Sequence, residues 1–177
     1  MTEQDWLDAA RRKLDSEAAY RRASSALRAA GENKVAVMLK KALTAYMESS
    51  NGQYPTDFGQ LQPYFSSPLD EAVLQRWEIA SKATLNDLGF HGDVLITQKA
   101  PVDDVFDKRY VIGPAGYSTG DFLNRVTEPI LRPVGEAFRA AHNGQYQKDL
   151  SQLLPYATTP EQQAALQKLM LKNSAGD

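Results

Sequence analysis

Residues 51–77 read NGQYPTDFGQLQPYFSSPLDEAVLQRW, and residues 143–169 read NGQYQKDLSQLLPYATTPEQQAALQKL. The two stretches align without a gap at a constant offset of 92, and 13 of the 27 positions are identical. Self-similarity at a fixed period guides a fold prediction more strongly than local propensity does. The sequence therefore predicts two copies of one helical unit and a surface with pseudo-twofold character.

Each copy is predicted to consist of a long helix, a turn, a short helix and a capped helix. The Asn-Gly pairs at 51–52 and 143–144 favour a left-handed stop after each long helix. The short helices are expected around Asp57–Leu61 and Asp149–Leu154. A hydroxyl followed by proline predicts that the capped helices begin at Ser67-Pro68 and Thr159-Pro160.

The N-terminal half is predicted to contain two helices before the first Asn-Gly pair. Residues 4–30 have few helix breakers, and Gly31 is expected to end the first helix. A second helix then begins at Glu32 or Asn33 and runs to about Ser49, because its apolar residues follow helical spacing.

The long helix of the second copy is predicted over residues 128–141. Pro129 fits the first turn of this helix, where a missing amide hydrogen costs little. Pro133 lies four residues further on and is expected to strain or kink the helix.

A segment of different texture, residues 78–121, separates the two copies. Asp93–Thr97 and Arg109–Ile112 are short runs rich in β-forming residues, and glycine and proline bound them. They predict a small antiparallel sheet, with Trp77–Ala80 as a third strand. So small a sheet is expected to pack on a helix.

The predicted fold class is α+β, mainly α, with a duplicated helix–turn–helix unit flanking a small antiparallel β-sheet. The predicted organisation is one compact unit with four parts. These parts are the N-terminal helix (1–33), the first copy (34–77), the sheet (78–121) and the second copy (122–177).

Composition narrows the function classes. The chain has 177 residues, a net charge of −2 and the apolar fraction of an ordinary globular protein, 42%. The near-neutral charge argues against a nucleic-acid partner. The absence of cysteine excludes disulfides and thiolate metal sites. No apolar run is long enough to span a membrane. We expect a cytoplasmic protein if Met1 is the native start, and a cell-envelope protein if the chain is a fragment.

Residues identical in both copies are the candidate binding residues: Gln53, Tyr54 and Tyr64, with Gln145, Tyr146 and Tyr156. The functional interpretation is a duplicated protein-binding surface. The structural alternative is that the tyrosines fill a core, together with Leu61 and its counterpart Leu153. The glutamines are then expected to hydrogen-bond exposed backbone at the helix ends.

Three aspartates cluster in the loop before the second strand: Asp103, Asp104 and Asp107. Three carboxylates in a flexible loop are weak candidate ligands for Ca²⁺. Aspartates in turns also bond their own backbone, and Lys99, Lys108 and Arg109 lie close enough in sequence to offset their charge. No cofactor is predicted.

One combination of residues resembles the soluble part of type IV pilins and type II secretion pseudopilins. In that family a long helix ends in a G-x-Y-P-T turn followed by a leucine-bearing segment, as Gly52, Tyr54-Pro55-Thr56 and Leu61 do here. A loop containing an acid, an aromatic residue and a tyrosine then leads into a hairpin, as residues 104–110 do. The resemblance covers residues 34–118. It implies a filament or pseudofilament subunit without its membrane anchor.

The leading functional hypothesis is a non-enzymatic structural or protein-interaction module, acting on a protein partner or by self-association. The pilin-like subunit is the second hypothesis. A hydrolase-type enzyme is the third, and it requires a deep polar pocket between the copies, with ionisable groups such as Asp103, Asp107 or His142 at shifted pKa.

Overall fold

The computed structural model describes residues 2–11, 14–80 and 96–174. It shows a mainly helical α+β structure, which confirms the predicted fold class. The α-helices are α1 (Glu3–Ala10), α2 (Glu17–Ser49), α3 (Glu71–Leu74), α4 (Phe122–Ala141) and α5 (Pro160–Ser174). The strands are β1 (Trp77–Ile79), β2 (Ile96–Gln98), β3 (Lys108–Gly113) and β4 (Gly116–Asp121). Two 3₁₀ helices span Phe58–Tyr64 and Leu150–Tyr156.

The four strands form one antiparallel sheet in the order β1-β2-β3-β4. The sheet packs on α2, and both this packing and the strand at Trp77 were predicted. Residues 93–95 of the predicted second strand lie outside the described residues. The sequence analysis missed β4, Gly116–Asp121, because two glycines and an aspartate interrupt its strand-forming residues. Hydrogen bonding to β3 makes this segment a strand.

The prediction that Gly31 ends a helix is wrong. Helix α2 continues through Gly31, and the break lies earlier, where the Ser16 hydroxyl caps α2 by accepting from the Ala19 amide at 3.1 Å. A glycine inside a helix costs about 1 kcal/mol relative to alanine. The sheet outweighs this cost, because Leu39 and Leu43 on α2 are fully buried against it.

Helix α4 begins six residues before its predicted start. The hairpin of β3 and β4 leads directly into Phe122, and Phe122 and Leu123 are buried in the first turn. Pro129 therefore lies inside the helix and not in its first turn, and Pro133 lies inside it as well. Burial of the apolar side chains of Phe122 and Leu123 explains why the helix begins at Phe122.

The predicted start of a capped helix is right in the second copy and wrong in the first. The hydroxyl of Thr159 accepts from the Gln162 amide at 3.2 Å, and α5 starts at Pro160. In the first copy Ser67 caps nothing, and the short α3 is capped by Asp70. The first copy has little room for a longer helix, because the chain must reach the buried Trp77 in β1 soon afterwards.

The described residues pack into separate apolar clusters. The main cluster joins α2 to the sheet and the first 3₁₀ helix, with Leu39, Leu61 and Trp77 among its members. A second cluster joins α4, the second 3₁₀ helix and α5, and its buried members are Val134, Phe138, Leu153, Ala157 and Leu166. The two similar stretches of sequence thus belong to different clusters.

Candidate interaction surfaces

The two long helices end in the same way. The φ angles are 55° at Asn51, 51° at Asn143 and 80° at both Gly52 and Gly144. The Gly52 amide donates to the carbonyl of Met47, and the Gly144 amide donates to that of Arg139, both at 2.8 Å. Asparagine and glycine tolerate this left-handed region better than other residues do. The Asn-Gly prediction is confirmed, and we call the segments 51–64 and 143–156 the first and second junctions.

Each junction continues into a 3₁₀ helix whose start is fixed by matched side chains. Asp57 accepts from the Gln60 amide at 3.2 Å, and Asp149 accepts from the Ser151 amide at 2.7 Å. The side-chain oxygens of Gln60 and Gln152 accept from the amides four residues earlier, at 2.9 and 2.8 Å. The predicted short helices are confirmed, and these two glutamines satisfy the backbone there.

The glutamines that the sequence analysis singled out behave differently. Gln53 and Gln145 are exposed, and their main-chain amides donate to Ser50 and His142 at 3.3 and 3.0 Å. Within the described residues, neither side-chain amide has a hydrogen-bond partner. The expectation that these side chains bond the helix ends is therefore wrong, because Gln60 and Gln152 fill that role.

Two of the four candidate tyrosines pack as the structural alternative predicted. Tyr64 meets Tyr46 edge-on with ring centroids 5.9 Å apart, and Tyr156 meets Phe138 edge-on at 5.6 Å. Such pairs contribute about 0.5–1.5 kcal/mol beyond their buried area. Tyr64 and Tyr156 are partly buried against the two apolar clusters, so they stabilise the junctions from inside.

The other two tyrosines lie at the surface, which contradicts the interpretation that they fill a core. Tyr54 is 43% exposed and Tyr146 is 72% exposed. The guanidinium of Arg139 lies 5.1 Å from the centre of the Tyr146 ring, and one of its nitrogens donates to the Tyr146 hydroxyl at 3.3 Å. Arg139 therefore restrains the ring, and most of the Tyr146 side chain still stays exposed. Each junction thus presents an exposed aromatic side chain.

The aspartate loop is built around two arginines of α2. Arg21 donates to Asp103 from Nε and Nη2 at 2.8 and 3.0 Å. The same carboxylate accepts from the amides of Val105 and Phe106, both at 3.0 Å. Burial by itself raises the pKa of Asp103, but the hydrogen bonds from Arg21 and the two amides outweigh it and hold the pKa below its ordinary value.

Asp107 is bound in the same manner. Arg28 donates to it from Nε at 3.0 Å and from Nη2 at 2.8 Å, and the amides of Val102 and Asp103 donate at 2.9 and 2.8 Å. Burial raises the pKa of Asp107, but the hydrogen bonds from Arg28 and the loop amides lower it further, and the net pKa lies below its ordinary value. These two ion pairs fasten the loop to α2.

The third aspartate lies at the edge of these pairs, 3.8 Å from Nη2 of Arg21. Asp104 is exposed and forms an ion pair with Lys168 of α5. Among the described residues, no group of three or more acidic, histidine or cysteine side chains is arranged to hold a metal ion. Lys99, Lys108 and Arg109 were expected to offset the loop's charge, but Arg21, Arg28 and Lys168 bind its aspartates, and Arg109 lies 3.7 Å from Glu78. The sequence did contain a signal for these partners. Arg21 and Arg28 are seven residues apart, which places both side chains on one face of a helix.

A larger exposed apolar surface lies where the sequence analysis did not look. Helix α1 packs against α2, and a groove of about 460 Å³ runs between them. Trp6, Leu14 and Tyr20 line it and are largely exposed, whereas alanines such as Ala9 and Ala23 form its buried floor. We call this surface the α1–α2 groove. Helical spacing of apolar residues predicted an apolar face on α1, but it did not predict that this face stays exposed to solvent.

Comparisons with known proteins leave the geometry as the basis for a functional argument. No protein-family model, no curated protein and no solved structure matches the chain. None of the helices in the described ranges combines the length and apolarity needed to cross a bilayer.

Proposed function

We propose that this chain is a non-enzymatic protein-interaction module built on an internal duplication, and that its two junctions are equivalent binding surfaces. The observation that carries this proposal is the exposure of Tyr54 and Tyr146. These tyrosines are identical residues on turns of the same conformation, and neither fills a core. Packing within the chain does not account for these tyrosines, whereas contact with a partner would.

The duplication itself is supported by matched internal contacts. The Asn-Gly turns share their φ angles, and the glycine amides make the same hydrogen bond. The edge-on pair of Tyr46 and Tyr64 has its counterpart, 92 residues later, in Phe138 and Tyr156. Helix ends of this turn type are common, so the support for a duplication comes from the capping aspartate and the aromatic pair that accompany the turn in both copies.

Tyrosine suits such a surface for physical reasons. Its ring supplies apolar contact area at a small cost in side-chain entropy, and its hydroxyl finds a polar partner at the rim. Tyrosine is enriched among the residues that dominate binding energy in interfaces. At the second junction Arg139 restrains Tyr146 in advance, which lowers the entropy lost on binding.

The non-enzymatic part of the proposal rests on how the ionisable groups are used. Asp103 and Asp107, the acids named for an enzyme, are each bound by an arginine and two amides, so they are poorly placed to transfer protons. His142 is exposed at the end of α4, and its Nδ1 lies 2.9 Å from the carbonyl of Phe138.

The test uses the variants Tyr54→Ser and Tyr146→Ser, alone and together, as bait for cross-linking in cells of the source organism. Each single variant should lose part of the cross-linked partner, and the double variant should lose nearly all of it. Tyr117→Ser is the matched control, because Tyr117 is also exposed but lies outside the junctions and outside the α1–α2 groove. Retention of the partner by a folded double variant would overturn the proposal.

A pilin-like filament subunit is the second candidate function. The observation that favours it is the packing of the long helix α2 on an antiparallel sheet, followed by the Tyr54-Pro55-Thr56 turn. The intact mass of the native protein, measured in soluble and membrane fractions, tests it. A larger, membrane-associated species would support this candidate, and a soluble species of 19.6 kDa would count against it.

A further inference from the structure

The α1–α2 groove is a second exposed surface, and it is distinct from both junctions. Trp6 is 55% exposed and Tyr20 is 63% exposed, and Leu14 is also exposed. Large apolar side chains grouped in this way usually mark a site of association. We propose that this groove docks a second copy of the same chain in a twofold symmetric dimer.

The shape of the groove favours a second copy over an unrelated partner. An isologous interface needs a patch that is complementary to itself, with projections and hollows on the same surface. Here Trp6 and Tyr20 project at the rim, and Ala9, Ala10 and Ala23 leave a hollow between them. A twofold axis through the groove allows the rings of one copy to enter the hollow of the other.

The available area is what such a dimer requires. From their exposed fractions, Trp6, Leu14 and Tyr20 leave on the order of 300 Å² of apolar surface in water. A stable interface of standard size buries about 800 Å² on each partner, of which a little more than half is apolar. The three side chains therefore provide more than half of the apolar area that one side of the dimer needs.

Several of the described charges near the groove form ion pairs within the chain. Asp5 lies 3.6 Å from Lys34, and Asp8 lies 3.7 Å from Arg11. Arg28, at the edge of the groove, is bound to Asp107. In the dimer, the helical hairpins of the two copies form a four-helix arrangement.

Sedimentation of the full chain across micromolar to millimolar concentrations tests the proposal. We expect a closed monomer–dimer equilibrium. Trp6→Ser and Leu14→Ser should each weaken it by about tenfold or more, as loss of a central apolar anchor does. Tyr146→Ser is the control and should leave it unchanged, which also separates this result from the junction test. Circular dichroism confirms that each variant is folded.

Tryptophan fluorescence gives a second measurement. The chain has two tryptophans, and Trp77 is already buried, so a red shift on dilution reports the exposure of Trp6. A chain that stays monomeric at millimolar concentration would overturn the proposal. An open polymer would do so as well, and so would a dimer that Trp6→Ser and Leu14→Ser leave intact.

Discussion

Individual ion pairs fix the aspartate loop, and Asp107 is the clearest case. Its carboxylate is nearly inaccessible and holds Arg28 together with two backbone amides. We predict that Asp107→Asn lowers the free energy of unfolding by about 3 kcal/mol, because it leaves a partly buried guanidinium without its counter-charge. Urea denaturation measures this loss. Asp104→Asn, on an exposed pair, should cost less than about 1 kcal/mol.

The same residue predicts a pH dependence. The folded-state pKa of Asp107 lies below the ordinary value of about 3.9, so its ionised form favours folding. This contribution is present above that ordinary value and is lost as the pH falls through the folded-state pKa. The stability of Asp107→Asn should therefore fall less steeply on the acid side than that of the parent chain. Parallel acid titrations of equal slope would contradict this assignment.

The arrangement of the three aspartates also predicts the response to calcium. Asp103 and Asp107 are already bound by arginines and amides, and Asp104 points to Lys168. Binding Ca²⁺ would require breaking these ion pairs. We predict that the melting temperature is the same in calcium chloride and in a chelator. If calcium chloride raised the melting temperature, and Asp103→Asn abolished that increase, the calcium interpretation would be restored.

At the scale of elements, glycines inside a helix and after it have opposite roles. Gly135 lies within α4, and an added Cβ there meets no atom within 4 Å. Gly135→Ala should therefore raise the free energy of unfolding by about 0.5–1 kcal/mol. Gly144→Ala is the matched comparison. Its φ of 80° strains a residue with a side chain, so stability should fall by about 1 kcal/mol or more.

If the two junctions are equivalent, the same substitution at the first junction should have the same effect. Gly52 has the same φ angle and the same open surroundings as Gly144. Gly52→Ala should cost nearly as much as Gly144→Ala in chemical denaturation, provided that the whole chain unfolds in one step. A loss at only one junction would show that the turns are alike in geometry but not in energy.

At the scale of the whole molecule, the separate clusters predict uneven stability. Leu166 is fully buried in the cluster of α4 and α5, and Leu39 is fully buried against the sheet. Leu166→Ala and Leu39→Ala each leave a cavity, so each should lower the free energy of unfolding of its own cluster by about 3 kcal/mol. We predict that Leu166→Ala lowers amide protection mainly in α4 and α5, whereas Leu39→Ala lowers it mainly in α2 and the sheet. Hydrogen exchange measures this, and uniform losses would indicate one cooperative core.

The sequence by itself determined the local features that depend on near neighbours. The left-handed turns at Asn51 and Asn143, the aspartate-capped 3₁₀ helices and the cap at Thr159 need only a few adjacent residues. Repetition at an offset of 92 strengthened each of these predictions. The fold class also followed, because helical and alternating apolar patterns are both local.

Only the tertiary structure decided where the long elements begin and end and which apolar residues stay exposed. Packing on the sheet carries α2 through Gly31, pairing with β3 makes a strand of Gly116–Asp121, and burial of Phe122 starts α4 early. The exposure of Tyr54, Tyr146 and the α1–α2 groove depends on distant segments that leave them uncovered. Local propensities amount to fractions of a kcal/mol per residue, and the burial of one large side chain outweighs them.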